Sequence, residues 1–425
     1  AQGDRTPNEL TSYVSDNLRG DPGTTCVLKL ERPTADSTYI PMELKITRGT
    51  IRTNPVPYYG MVDKNIGYIA ISTFAIEGCS KDIKKALIEL KQQGATSIVL
   101  DLRGNGGGLL SEAVNVVNFF VPKGKEIVVT KGKIKQAGST YKTSNEPIDM
   151  EIPLTVLVDG ATASAAEIVS GSLQDLDRAV IVGNRTYGKG LVQVPRELPY
   201  NSSMKVTTAK YYIPSGRCIQ AIDYAKRNAD GSVARIPDSL TTVFHTAAGR
   251  EVRDGGGIRP DVEVKAERFP NIMFYLLNDD MIFDYATQYC IKHPNIGEVK
   301  DFSVTDADYD DFKQMLKKRN FTYDRQSEKS LKNLKEIAEF EGYMEGASEE
   351  FAALEKKLTH NLDHELNRFS KQIRKAIAEE IVKRHYFQRG VILERMKDDA
   401  DLTKAIETLK DKEGYTKILS VPADK

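Results

Sequence analysis

Between about Gly67 and Val264, short apolar runs alternate with segments whose apolar residues recur every three or four positions. Ile66–Ile71, Ser97–Leu102, Leu154–Val158 and Ala179–Val182 have the length and β-branched content of buried strands. Ser80–Gln93 sets Ile83, Ala86, Leu87 and Leu90 on one helical face, and Ser111–Phe120 and Ala165–Asp175 also read as helices. This strand–helix alternation predicts an α/β core with parallel strands, assigned to residues 56–265.

The flanks read differently. Thr6-Pro7-Asn8-Glu9 opens a helix with Leu10, Val14 and Leu18 on one side, and Gly20 ends it. Cys26–Glu31 and Met42–Thr47 alternate like the arms of a hairpin. One helix and two strands bury too little for a separate domain, so residues 1–55 read as part of a larger module. Residues 266–425 are helical and strongly charged. Phe351, Leu354, Leu358, Leu362, Leu366, Phe369, Ile373, Ile377 and Ile381 step by three or four. That stripe predicts one amphipathic helix over 348–388, roughly 60 Å long. Such a helix calls for an arm, a bundle or a homo-oligomer contact.

Composition narrows the functional classes. Sixty Lys+Arg balance sixty Asp+Glu, so no broad field draws nucleic acid or anionic lipid. Cys26, Cys79, Cys218 and Cys290 form no CxxC pair, which excludes a zinc ribbon, a thioredoxin-like motif and a dense disulfide scaffold. No apolar run reaches about 18 residues, so no membrane-spanning helix is expected. The opening Ala1-Gln2-Gly3 shows neither a Met nor an apolar leader; a removed signal and an internal start both fit.

Two glycine loops invite a nucleotide reading and fail it. Leu102-Arg103-Gly104-Asn105-Gly106-Gly107-Gly108-Leu109 has Leu109 where GxGxxG needs glycine. Gly183-Asn184-Arg185-Thr186-Tyr187-Gly188-Lys189-Gly190 has Gly190 where a P-loop needs Ser or Thr, and it runs into an alternating strand. The first loop has a third reading: glycines let backbone N–H groups converge on an oxyanion.

Ser164 stands between a buried strand and a helix, after the small-residue turn Asp159-Gly160-Ala161-Thr162-Ala163. It is either an N-cap or a nucleophile at the positive end of a helix. Local sequence sets none of the five histidines beside it. His360 and His364 are spaced for a metal but lie opposite the apolar stripe without a third ligand, so no metal is expected. Lys189 is the alternative base, provided its amine is neutral. In an extended 189–194, Gln193 shares its face and can hold that amine; Lys189 as a solvated surface lysine stands beside this reading.

GYIAIS, VLDLRGNGGGLL, TASAAEIVSGSLQD, RAVIVGNRTYGKGLVQ, TTAKYYIPSGRCIQ and DGGGIRPDV occur in this order from Gly67 to about Asp261. Together they resemble the tail-specific, or C-terminal processing, serine proteases. The resemblance implies a ClpP/crotonase-like fold, Ser164 as nucleophile, Lys189 as general base and Gln193 as its partner. It implies oxyanion donors at Ala165 and at Gly107 or Gly108, and no cofactor. Asp175 matches a family acid and reads as structural. Residues 6–50 resemble the second half of a PDZ module, whose carboxylate-binding loop would precede residue 6. The expected function is a serine endopeptidase acting on protein or peptide chains selected by their C-terminal tails, in a bacterial periplasm or cell envelope. A catalytically silent binding protein on the same fold is the alternative.

Overall fold

Leu154–Val158 is apolar or β-branched at every position, so it pairs on both sides and is buried along its whole length. It lies within a six-stranded sheet ordered Val262–Glu263, Val180–Gly183, Leu154–Val158, Ser97–Asp101, Ile66–Ala70, Tyr58–Asp63. The first five run parallel, and the last turns back antiparallel. Helices Cys79–Gln92, Leu110–Val117 and Ala165–Asp175 add their apolar faces to the same core. The expected α/β core is present. A second, antiparallel sheet of Leu191–Leu198, Ser202–Tyr212, Glu126–Gly132 and Ser139–Lys142 accompanies it. This computed structural model describes residues 7–34, 38–133, 138–227, 233–265, 267, 269–358 and 361–420.

The chain divides into two compact units, Thr53–Ala266 with Asp398–Lys425, and Ala1–Arg52 with Glu267–Lys397. The final helices Ala400–Lys410 and Lys412–Ile418 thus belong to the α/β unit, not to the helical segment expected over 266–425. Leu402, Ala405 and Leu409 are buried there, and the Tyr415 hydroxyl accepts from Leu154 N (2.9 Å).

The helical unit has its own core of Ile272, Leu276, Ile282, Phe312, Leu316, Leu366, Ile373, Ile377 and Ile381, among others. The single helix expected over 348–388 is corrected to three: Met344–Leu358, Leu362–Arg368 and Ser370–Met396. Asn361 supplies the break, its side chain taking the His364 N–H as a fresh N-cap. Only the C-terminal part of the stripe is buried; Leu354 is 42% exposed. His360 lies outside the described residues. At the N-terminus, helix Pro7–Leu18 and the hairpin Thr25–Pro33/Tyr39–Thr47 form as expected. Arg48 joins them through Leu18 O (2.8 Å) and Asn17 O (2.8 Å).

One buried ion pair braces the α/β unit. Asp175 ends helix Ala165–Asp175 and accepts from Arg217 Nη2 (2.8 Å) and Ser215 N (3.0 Å), with both side chains out of water. Burial pushes this carboxyl up, against the pull of Arg217. Asp175→Ala leaves a guanidinium buried without its counter-charge, so unfolding free energy should fall by about 3–5 kcal/mol. Denaturant titration checks this; an unchanged midpoint would remove the brace.

Candidate active site

Three loops leave the carboxyl ends of three neighbouring parallel strands, the usual place for a site in an open α/β sheet. They span residues 102–109, 159–164 and 184–190. Asp159 stitches the first two. Its Oδ1 accepts from Gly104 N (3.0 Å), Ala161 N (3.0 Å) and Thr162 N (2.9 Å). Thr162 Oγ1 donates to Leu102 O (2.9 Å), and Ala163 N donates to Asn105 O (2.9 Å). The third loop is tied in by Tyr187 N, which donates to Thr162 O (3.0 Å).

Ser164 occupies the first end of helix Ala165–Asp175 with φ 56° and ψ −118°, a backbone conformation that non-glycine residues hold only under constraint. The constraint is Glu167, which is fully buried. Its Oε2 accepts from Ser164 N (2.8 Å) and Lys189 N (2.9 Å), and its Oε1 from Thr186 Oγ1 (2.5 Å) and Gly188 N (2.7 Å). One carboxylate therefore joins the serine turn to the lysine turn. Burial pushes its pKa up, while these four donors pull the other way.

Beside Ser164, the N–H groups of Ala165 and Gly108 have no partner among the described residues. Gly107 gives its own N–H to Asn105 Oδ1 (2.9 Å), so of the two glycines only Gly108 has a donor to offer. Gly107 serves by closeness instead. A Cβ there would lie 2.6 Å from Ala163 O, 2.7 Å from Ala165 N and 2.8 Å from Ser164 Cβ, at φ +93°. Gly107→Ala should push the serine turn aside and cost about 1–3 kcal/mol of stability. Denaturant titration checks this, and an unchanged midpoint would show the approach is not critical.

Lys189 is half-buried, and its amine makes no ion pair or hydrogen bond among the described residues. No hydrogen bond joins Ser164 Oγ to Lys189 Nζ; the backbones, not the side-chain tips, are what the structure brings together. Gln193 does not hold the amine. It is exposed, and its side chain makes no hydrogen bond among the described residues. The strand begins only at Leu191, so Lys189 lies in the loop before it and the alternation that would have set Gln193 on its face does not reach back to it. Tyr211 stands there unanticipated: its buried hydroxyl donates to Lys189 O and neighbours the Ser164 side chain. Burial, reinforced by Glu167, pushes its phenol up. Glu167 had a sequence signal, the S-x-x-E spacing of a capping box; Tyr211 had none.

A serine turn with open N–H groups beside it and a lysine turn thus meet at the carboxyl edge of one α/β sheet. Residues 65–226 match the model of peptidase family S41, and residues 272–409 match that of the probable PDZ-protease C-terminal helical domain. The α/β core is thus similar to peptidase family S41 over residues 65–226. The chain is 37% identical over 226 residues to a carboxy-terminal-processing protease of Bartonella bacilliformis, covering 52% of this chain and 50% of the relative. It is 40% identical over 200 residues to a carboxyl-terminal-processing protease of Picosynechococcus, covering 46% of each. A solved photosystem II D1 C-terminal processing protease is 30% identical, covering 62% of this chain and 61% of that one, with a TM-score of 0.39. The chain spans about half the length of the curated relatives it matches. No helix among the described residues is long and apolar enough to cross a membrane.

Proposed function

We propose that the chain is a serine endopeptidase in which Ser164 is the nucleophile and Lys189 the general base. Glu167 carries the reading, because its single carboxylate ties the N–H of the nucleophile to the N–H of the base. A rotamer change of the otherwise unengaged Lys189 side chain completes the dyad. The neutral amine takes the Ser164 hydroxyl proton as Oγ bonds to the scissile carbonyl carbon. The N–H groups of Ala165 and Gly108 stabilise the oxyanion. The resulting ammonium protonates the leaving amine as the C–N bond breaks. Water then attacks the acyl ester, giving its proton to the amine, and Ser164 recovers one on release. Nothing in this sequence requires Gln193 or a cofactor.

The substrate class follows from the resemblance and the relatives' names: protein chains chosen by their C-terminal tails, with the hairpin over 25–47 as part of a PDZ-like module. Placement in a bacterial cell envelope belongs to the same proposal. Incubation with an unstructured protein, followed by mass spectrometry of the fragments, tests it. Lys189→Ala should yield none; parental fragmentation by that variant would reject the dyad.

A further inference from the structure

Arg103 precedes the glycine run, and its guanidinium is completely engaged. Nε donates to Asp101 Oδ1 (3.0 Å) and Nη2 to Asp101 Oδ2 (2.6 Å). The remaining donors reach residues almost three hundred positions away: Nη1 to Asp399 Oδ1 (2.9 Å) and Asp401 Oδ2 (3.1 Å), and Nη2 to Asp399 Oδ2 (2.7 Å). All four residues lie in the α/β unit, to which the chain returns at Asp398 after the helical unit. Tyr68 donates to Asp101 Oδ2 (2.6 Å), holding the inner carboxylate in turn.

We propose that Asp399 and Asp401 are positioning residues for the 104–108 loop, acting through Arg103, so that the C-terminal segment sets the oxyanion donor at Gly108. The inference rests on the reading of that loop as an oxyanion hole. Three observations support it. Three carboxylates surround one guanidinium, which exceeds what charge neutrality or stability asks for; a mere surface tie needs one. Bidentate engagement by Asp101 and Asp399 fixes the plane of the guanidinium, and with it the direction in which the chain leaves Arg103. The loop beyond is anchored by Asp159 at Gly104 N, by Asn105 at Gly107 N and by Phe74, whose N–H donates to Gly107 O (2.9 Å). The Arg103 N–H also donates to Asp101 Oδ1 (2.9 Å), so the carboxylate that holds the guanidinium also holds the peptide from which the loop departs.

Asp399 starts helix Ala400–Lys410, accepting from Leu402 N (3.0 Å). The same helix reaches Asp63 through Lys410 (2.5 Å), so docking of the segment and closure on Arg103 occur together.

The test is Asp399→Asn/Asp401→Asn in the full chain, because asparagine keeps the N-cap while removing both charges. Amide hydrogen exchange over 102–110 should accelerate about tenfold or more while that of 165–175 stays at the parental rate. On an unstructured protein, kcat should fall about tenfold at unchanged KM. Asp401→Asn alone retains the Arg103–Asp399 fork and, as the variant safest for folding, should show a smaller change of the same kind. Parental exchange over 102–110 in the double variant overturns the proposal, as does a parental kcat in a protein whose Ser164→Ala form is dead. If the parent hydrolyses nothing, the peptidase reading fails, and the exchange comparison still decides whether these aspartates hold the loop.

Discussion

Ser164→Ala should lower hydrolysis by on the order of 10⁴-fold or more, with the fold intact. Its neighbours Ala163 and Ala165 have no reactive atom, and the other hydroxyl of the turn, on Thr162, is buried and donates to Leu102 O. The open N–H groups remain in the variant and cannot act without a nucleophile. Stability adds an independent sign. Ser164 holds a backbone conformation that costs about 1–3 kcal/mol for a residue with a Cβ. Alanine keeps that cost, whereas Ser164→Gly removes it. The glycine variant should therefore be inactive and melt at or above the parental temperature, while the alanine variant melts close to the parent. Paired thermal unfolding and degradation assays read both effects. Hydrolysis that survives in Ser164→Ala would end the assignment of this serine.

The parts of the site visible from sequence are those set by local order. Leu154–Val158 and Ala165–Asp175 have the expected bounds because a continuous apolar run and a capped apolar helix are decided within their own residues. Ser164 follows from their junction. The alternation that would set Gln193 beside Lys189 does not hold, because the strand begins only at Leu191, a boundary set by its pairing with Ser202–Tyr212 and not by the local pattern. The stripe over 348–388 kept its period across two helix ends, since a cap such as Asn361 changes chain direction without changing which residues are apolar. The return of residues 398–420 to the α/β unit left no periodic mark. It is recorded in charge pairs such as Arg103 with Asp399, which acquire meaning only once the chain has folded.

Glu167→Ala should destroy activity and cost upward of about 4 kcal/mol of stability. Four donors, Ser164 N, Lys189 N, Gly188 N and Thr186 Oγ1, lose their acceptor in a buried site at about 1–3 kcal/mol each. Glu167→Gln should be milder. Its carboxamide oxygen can serve Ser164 N and Lys189 N while its amide donates to the Thr186 hydroxyl oxygen, leaving Gly188 N and the Thr186 hydroxyl proton without this acceptor. The pH dependence has a determined sign. Protonated Glu167 can adopt the same arrangement, with its proton directed to Thr186, so acid should bring parental activity down to the level of the glutamine variant. Because burial raises this pKa above the ordinary carboxyl value, the acid limb should lie above about 4.5. In that window the folded chain binds the proton more tightly than the unfolded chain, so this group's contribution to stability grows as pH falls. Activity should thus decline while the melting temperature contributed by this site does not, and Glu167→Gln should lack the limb altogether. Rate–pH profiles of the two proteins decide it. An identical acid limb in the glutamine variant would move the titration to another group.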